Sequence, residues 1–168
     1  MKLTNAIKSA VPAAVLGVLT LGLISTPAAA LTQTATIAVS ATVVDSCSIS
    51  ANSLGFGTYA GAALPASTTI TVTCTNLGSY QVGLNGGTTT GGTDVARIMQ
   101  GPGLNVLNYN LYTTAGLATV WGNTAAHNWV VGTGTGSAQT LTVYGNVTAA
   151  QPLAVGSYSD SITATVNY

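Results

Sequence analysis

The chain has 168 residues, of which 4% are charged, with three Lys and Arg against three Asp and Glu and a formal net charge of zero. So few cations exclude nucleic acid as a partner, because counterion-release binding needs several Lys or Arg. Catalysis has little to draw on either: one histidine, His127, and three scattered carboxylates, Asp45, Asp94 and Asp160.

Residues 1–30 read as an export signal. Lys2 and Lys8 form a positive n-region, Val11 to Ile24 an apolar h-region, and Pro27-Ala28-Ala29-Ala30 a small-x-small site, so cleavage is expected between Ala30 and Leu31. The apolar run is short for a membrane span and no basic stop-transfer flank follows it; a retained anchor is the alternative. Both lysines leave with the signal, so the exported chain holds Arg97 against three aspartates, a net of −2. A surface of Thr, Ser, Asn and Gly with so little charge lacks the repulsion that keeps copies apart. It suits an assembled extracellular polymer better than a dissolved enzyme.

Downstream of the signal, Ala35, Ile37, Val39, Ala41 and Val43 alternate with Thr34, Thr36, Ala38, Ser40 and Thr42, the period of a half-buried strand. Cys47 and Cys74 follow. Two cysteines in a chain bound for an oxidising compartment read as a disulfide. The ring would span about 28 residues and be worth about 3.5 kcal/mol in the chain-entropy model. Free thiols, or half of a metal site, are the rival readings, and a zinc site would need more ligands than one histidine can complete.

Further strand-like pieces are Ser48–Ser50, Leu54–Tyr59, Thr68–Thr75 with Ile70, Val72 and Cys74 on one face, and Tyr80, Val82 and Leu84. A Gly/Thr-rich break covers Asn85–Gly92, and Val95–Gln100 is ambiguous. Then come Leu107, Tyr109 and Leu111, short pieces at Ala118–Trp121 and Asn128–Val131, and Leu141, Val143 and Gly145 after a glycine loop at Gly132–Gly136. The last run alternates from Tyr158 to Tyr168, with Ile162, Ala164, Val166 and Tyr168 on one face and Ser161, Thr163, Thr165 and Asn167 on the other. Seven to nine short strands and no helical period predict an all-β sandwich. Both terminal runs lack the charge, proline or bulge that normally blunts an edge, so the chain is expected to pair with its own kind.

Each residue that could carry chemistry has a plainer reading. His127 beside Asn128 and Trp129 reads as a loop or sheet-surface residue, not as a base in a triad. Asp94 and Arg97 read as a local ion pair of little worth. Gly132–Gly136 lacks the Lys and helix start of a phosphate cradle and reads as a flexible loop. Trp121 and Trp129 could stack on sugars, but read as core aromatics. The sequon Asn146-Val147-Thr148 is too short a match to carry meaning.

The alternating N-terminal run, Cys47, Cys74, Tyr109-Asn110-Leu111-Tyr112, Tyr144-Gly145-Asn146-Val147 with Gln151, and the ending Gly156-Ser157-Tyr158-Ser159-Asp160 followed by alternating residues to Tyr168 together resemble the spore coat protein U domain family. Its best understood members are subunits of archaic chaperone–usher pili. The resemblance implies an immunoglobulin-like sandwich that lacks its final strand and is completed by a donor strand. It divides the chain into a signal peptide (1–30), an N-terminal donor segment overlapping the first strand (31–46) and a pilin-like body (47–168). It assigns Ile37, Val39, Ala41 and Val43 to the donor and Ile162, Ala164, Val166 and Tyr168 to the strand lining the acceptor groove. Implied partners are other pilin subunits, a periplasmic chaperone and an outer-membrane usher. No cofactor is implied, and the place is an extracellular pilus serving adhesion and biofilm formation. A secreted coat or matrix protein, and a carbohydrate-binding adhesin, are the alternative functions; an enzyme is not expected.

Overall fold

The computed structural model describes residues 29–168, so the expected signal peptide lies almost wholly outside the described residues. The chain divides into Met1–Ser40 and Ala41–Tyr168. In the first unit, residues 29–40 carry no strand, and Ile37 and Val39 are exposed. The second unit holds eight strands: β1 (Cys47–Ala51), β2 (Leu64–Cys74), β3 (Ser79–Leu84), β4 (Arg97–Gln100), β5 (Val106–Tyr112), β6 (Val130–Thr133), β7 (Ala138–Val147) and β8 (Ala164–Asn167), with one 3₁₀ turn at Ala125–His127.

The strands form two antiparallel sheets, ordered β1-β2-β7-β5-β4 and β6-β3-β8. Their facing sides supply the core. Alternation sets this directly: Ile70, Val72 and Cys74 of β2, Tyr80, Val82 and Leu84 of β3, and Leu107, Tyr109 and Leu111 of β5 are all buried, while the residues between them, Gly83 excepted, are more exposed. The ambiguous stretch before Gly101 is strand from Arg97 onward, with Arg97 and Met99 inward. Cys47 and Cys74 are bonded and lie directly opposite in the β1–β2 register, so the crosslink pins an edge strand to the sheet interior.

Three expectations need correction. Leu54–Tyr59 is not a strand, although Leu54, Phe56 and Tyr59 do pack on the core. Its period was right, but a strand also needs a ladder partner, and none is present among the described residues. The last run is a strand only over Ala164–Asn167: before it, Ser159 bridges to Gln100 of β4, Thr163 O accepts from Asn85 N, and Asp160 is held by its side chain as described below. Gly132–Gly136 is no flexible loop: Gly132 and Thr133 end β6, and Gly134 exchanges backbone bonds with the β2–β3 turn, Leu77 N to Gly134 O at 2.8 Å and Gly134 N to Gly78 O at 2.7 Å.

Candidate functional site

One flank of the sandwich is closed around a cation. Arg97 is 1% exposed, and its guanidinium donates to Asn85 O (2.9 Å), Asn110 Oδ1 (2.8 Å), Leu84 O (2.8 Å) and Trp121 O (2.7 Å). Trp121, 1% exposed, donates from its ring to Val82 O at 2.8 Å. It is therefore core and offers no face to a sugar; Trp129 is half-buried. The expected Asp94–Arg97 ion pair does not form. Arg97 opens β4 with its side chain inward, whereas Asp94 accepts from His127 Nδ1 at 2.8 Å and from Asn123 N at 2.9 Å. Burial raises the Asp94 pKa, but these bonds and the nearby positive charge outweigh it and hold the carboxyl below its ordinary value. Among the described residues the His127 ring bonds to Asp94, and its backbone amide donates to Thr124 Oγ1, so the pair braces the turn at Ala125–His127.

The other flank is open. Among the described residues β1 pairs only with β2 and β8 only with β3, so each ends its sheet. Between them lies a groove of about 1120 Å³ whose floor includes Ile70, Leu84, Leu111, Val143 and Val147. Residues 51–61 form one lip and residues 153–160 the other. Phe56 crosses to meet Tyr109 edge-on at 5.9 Å between ring centres. The expected groove strand divides by position. Ile162 and Ala164 line the groove, Val166 packs on the core further along opposite Val82, and Tyr168 is exposed. Ile37, Val39, Ala41 and Val43 are all exposed, and residues 41–46 carry no strand.

Asp160 fixes the second lip. Its Oδ2 accepts from the Tyr109 hydroxyl at 2.7 Å, and its Oδ1 accepts from the amides of Thr88 (2.9 Å) and Thr89 (3.2 Å) and from both their hydroxyls. Burial pushes its pKa up, but the Tyr109 bond and the amides of Thr88, Ser161 and Thr89 reverse this and hold it below the ordinary value. Tyr109 is pushed up by burial and by its bond to Asp160. The rest of the Gly-x-Tyr-x-Asp ending is also structural. A side chain on Gly156 would run into Pro102, Tyr158 covers Gly101, and the Tyr158 hydroxyl donates to Ala154 O at 2.9 Å. Counting charges could not assign Asp160 a role, because its partners lie about fifty and seventy residues away.

The profile of the spore coat protein U domain matches residues 33–165. The chain belongs to that family. Protein U of Myxococcus xanthus is 32% identical over 181 aligned positions, covering 98% of this chain and 99% of that protein. Among solved structures, a chain in the crystal structure of the CsuC–CsuE chaperone–tip adhesion subunit pre-assembly complex, from the archaic chaperone–usher Csu pili of Acinetobacter baumannii, superposes with a TM-score of 0.57 at 23% identity. The match covers 76% of this chain and 40% of that one, so the shared part is less than half of the structural neighbour. At that identity the likeness establishes the fold, an immunoglobulin-like sandwich.

Proposed function

We propose that this protein is a structural subunit of an extracellular chaperone–usher pilus, joined to its neighbours by donor-strand complementation. The observation that carries the reading is the open groove beside the free edge of β8, in a chain that also presents an unpaired alternating stripe at Ile37, Val39, Ala41 and Val43. The stripe of one copy enters the groove of another and pairs along β8 near Ile162 and Ala164. Burying Ile37, Val39 and Val43 contributes about 5–9 kcal/mol, and each ladder hydrogen bond adds about 0.5–1.5 kcal/mol. Before joining, the same groove needs a strand lent by a periplasmic chaperone, with exchange at an outer-membrane usher. A tip-subunit complex from such a pilus shares the fold. The fibre serves adhesion and biofilm formation. No enzymatic role is assigned.

A second reading has its own support: the match to Protein U runs the length of both proteins, which favours a secreted coat or matrix protein. Strand donation is tested on residues 31–168 prepared alone. That material aggregates or self-associates, and a synthetic peptide of residues 32–44 renders it monomeric and raises its melting temperature. A stable monomer indifferent to the peptide rejects strand donation. Electron microscopy of surface fibres with and without the gene then separates pilus from coat.

A further inference from the structure

The outer face of the five-stranded sheet carries an ordered set of side chains that neither the core nor the groove uses. Alternation places them. On β2 the buried Ile70 and Val72 turn Thr69 and Thr71 outward, and on β7 the inward Leu141 and Val143 do the same for Thr140 and Thr142. The strands are in register, with Thr71 opposite Thr140 and Thr69 opposite Thr142, and β1 extends a row by setting Ser50 opposite Thr71. In the row beyond Thr69 and Thr142, Ser67, Tyr144 and Tyr112 lie abreast on β2, β7 and β5, both tyrosines half-buried. The Cβ atoms of such an array are about 5 Å apart across strands and about 7 Å apart along them. Threonine is stiff at χ1, so its hydroxyls are held in place. Thr69 Oγ1 accepts from Asn52 Nδ2 at 2.9 Å; among the described residues, the hydroxyls of Thr71, Thr140, Thr142, Tyr112 and Tyr144 have no such partner.

The chemistry of this face selects its partner. Of the charged side chains after residue 30, Arg97 is turned inward on β4, and Asp45, Asp94 and Asp160 lie outside the five strands. An anionic glycan or a nucleic acid therefore meets no cation here, and a cationic ligand no carboxylate. A lipid surface needs bulky apolar groups, which these rows lack. β2 has a ladder on both sides, so no further strand can add to it and binding falls to side chains. Protein interfaces draw their energy from Trp, Tyr and Arg, with Ser and Thr under-represented. What fits is a ligand that carries regular hydroxyls of its own and apolar C–H faces for the tyrosine rings. The sheet also turns by roughly 20–25° from strand to strand, which a flexible chain can follow and a flat crystal face cannot.

We propose that this face binds neutral polysaccharide, with Tyr112 and Tyr144 stacking on sugar rings and the Thr69–Thr142 and Thr71–Thr140 rows bonding to sugar hydroxyls. The face is available however copies join. A fibre and a coat both repeat it, and repetition turns a weak single contact into firm attachment.

The test is low-speed sedimentation of the exported protein, cleared of aggregates, with amorphous cellulose, insoluble mannan or insoluble xylan. Crosslinked polygalacturonate is the charged comparison. At least one neutral polymer carries the protein down, added salt leaves that binding unchanged, and the polyuronate carries none. Tyr144→Ala raises the dissociation constant about tenfold. Because that variant removes a half-buried ring, Thr142→Glu gives a second measure at an exposed position, weakening binding while the melting temperature holds. Gln81→Glu puts the same charge on the outer face of the other sheet and binds as wild type does. Failure of all three neutral polymers to carry the protein down overturns the proposal. Sedimentation with the polyuronate alone also overturns it, as does neutral-polymer binding that Thr142→Glu leaves intact, since the sugar would then sit elsewhere on the molecule.

Discussion

The two flanks of this sandwich solve the same problem in opposite ways. On the Arg97 flank, the inward carbonyls of Leu84, Asn85 and Trp121 are met from within: a guanidinium fills the space and satisfies all three, together with the Asn110 amide oxygen. On the β1–β8 flank, two sheet edges and an apolar floor are left without a partner strand. The difference locates where stability is internal and where, on the proposed reading, it is delivered from outside.

The comparison breaks most severely at Arg97. Arg97→Met should cost about 3–5 kcal/mol, because four buried acceptors lose their donor at once. Lysine should not rescue it, lacking the planar fork that reaches all four. Periplasmic yield and thermal melts of donor-complemented material measure both. Cys47→Ser comes next, at about 2–5 kcal/mol, since it frees the edge strand that borders the groove; chemical denaturation with and without added donor reads it out.

On the open flank, Val39→Asp should abolish the detergent-resistant ladder while the body's melt, measured with wild-type donor peptide, stays unchanged. An unpaired buried charge there costs several kcal/mol. Wild-type polymer length would end the strand-donation reading. Asp160→Asn should cost about 1–3 kcal/mol at neutral pH, as the clamp on Tyr109 and the Thr88–Thr89 loop weakens. Its pH dependence has a definite sign. A carboxyl held below its unfolded value adds stability above about pH 4 and loses it as pH falls through the folded value. Unfolding midpoints should therefore fall on acidification less steeply in Asp160→Asn than in wild type, with Asp94 supplying the remaining slope. Smallest is Thr163→Asp, exposed beside β8, which should shift stability by less than about 0.5 kcal/mol.

Period-two alternation made the buried faces of β2, β3, β5 and β7 legible, because residue spacing alone dictates which side chains share a face of a strand. It could not reveal pairing. Leu54 and Phe56 alternate as strand residues do, yet among the described residues no neighbouring strand hydrogen-bonds them, and they line the groove instead. The disulfide was legible from cysteine count and compartment. The Arg97 cluster was not, since a lone cation three residues from a carboxylate looks like a local pair until the inward face of β4 is known. Asp160 stood out only through the family's ending, and its clamp depends on contacts across the fold.

The burial of Arg97 also shapes how the exported protein meets its surroundings. On the expected cleavage after Ala30, Lys2 and Lys8 leave with the signal and Arg97 is the one Lys or Arg that stays, sealed in the core. Trypsin-like proteases cut after such residues, so a fully folded body presents them no bond to attack, and amine-reactive reagents find nothing but the α-amino group. Digestion with trypsin thus becomes a gauge of folding, in which cleavage after Arg97 counts the molecules that have opened.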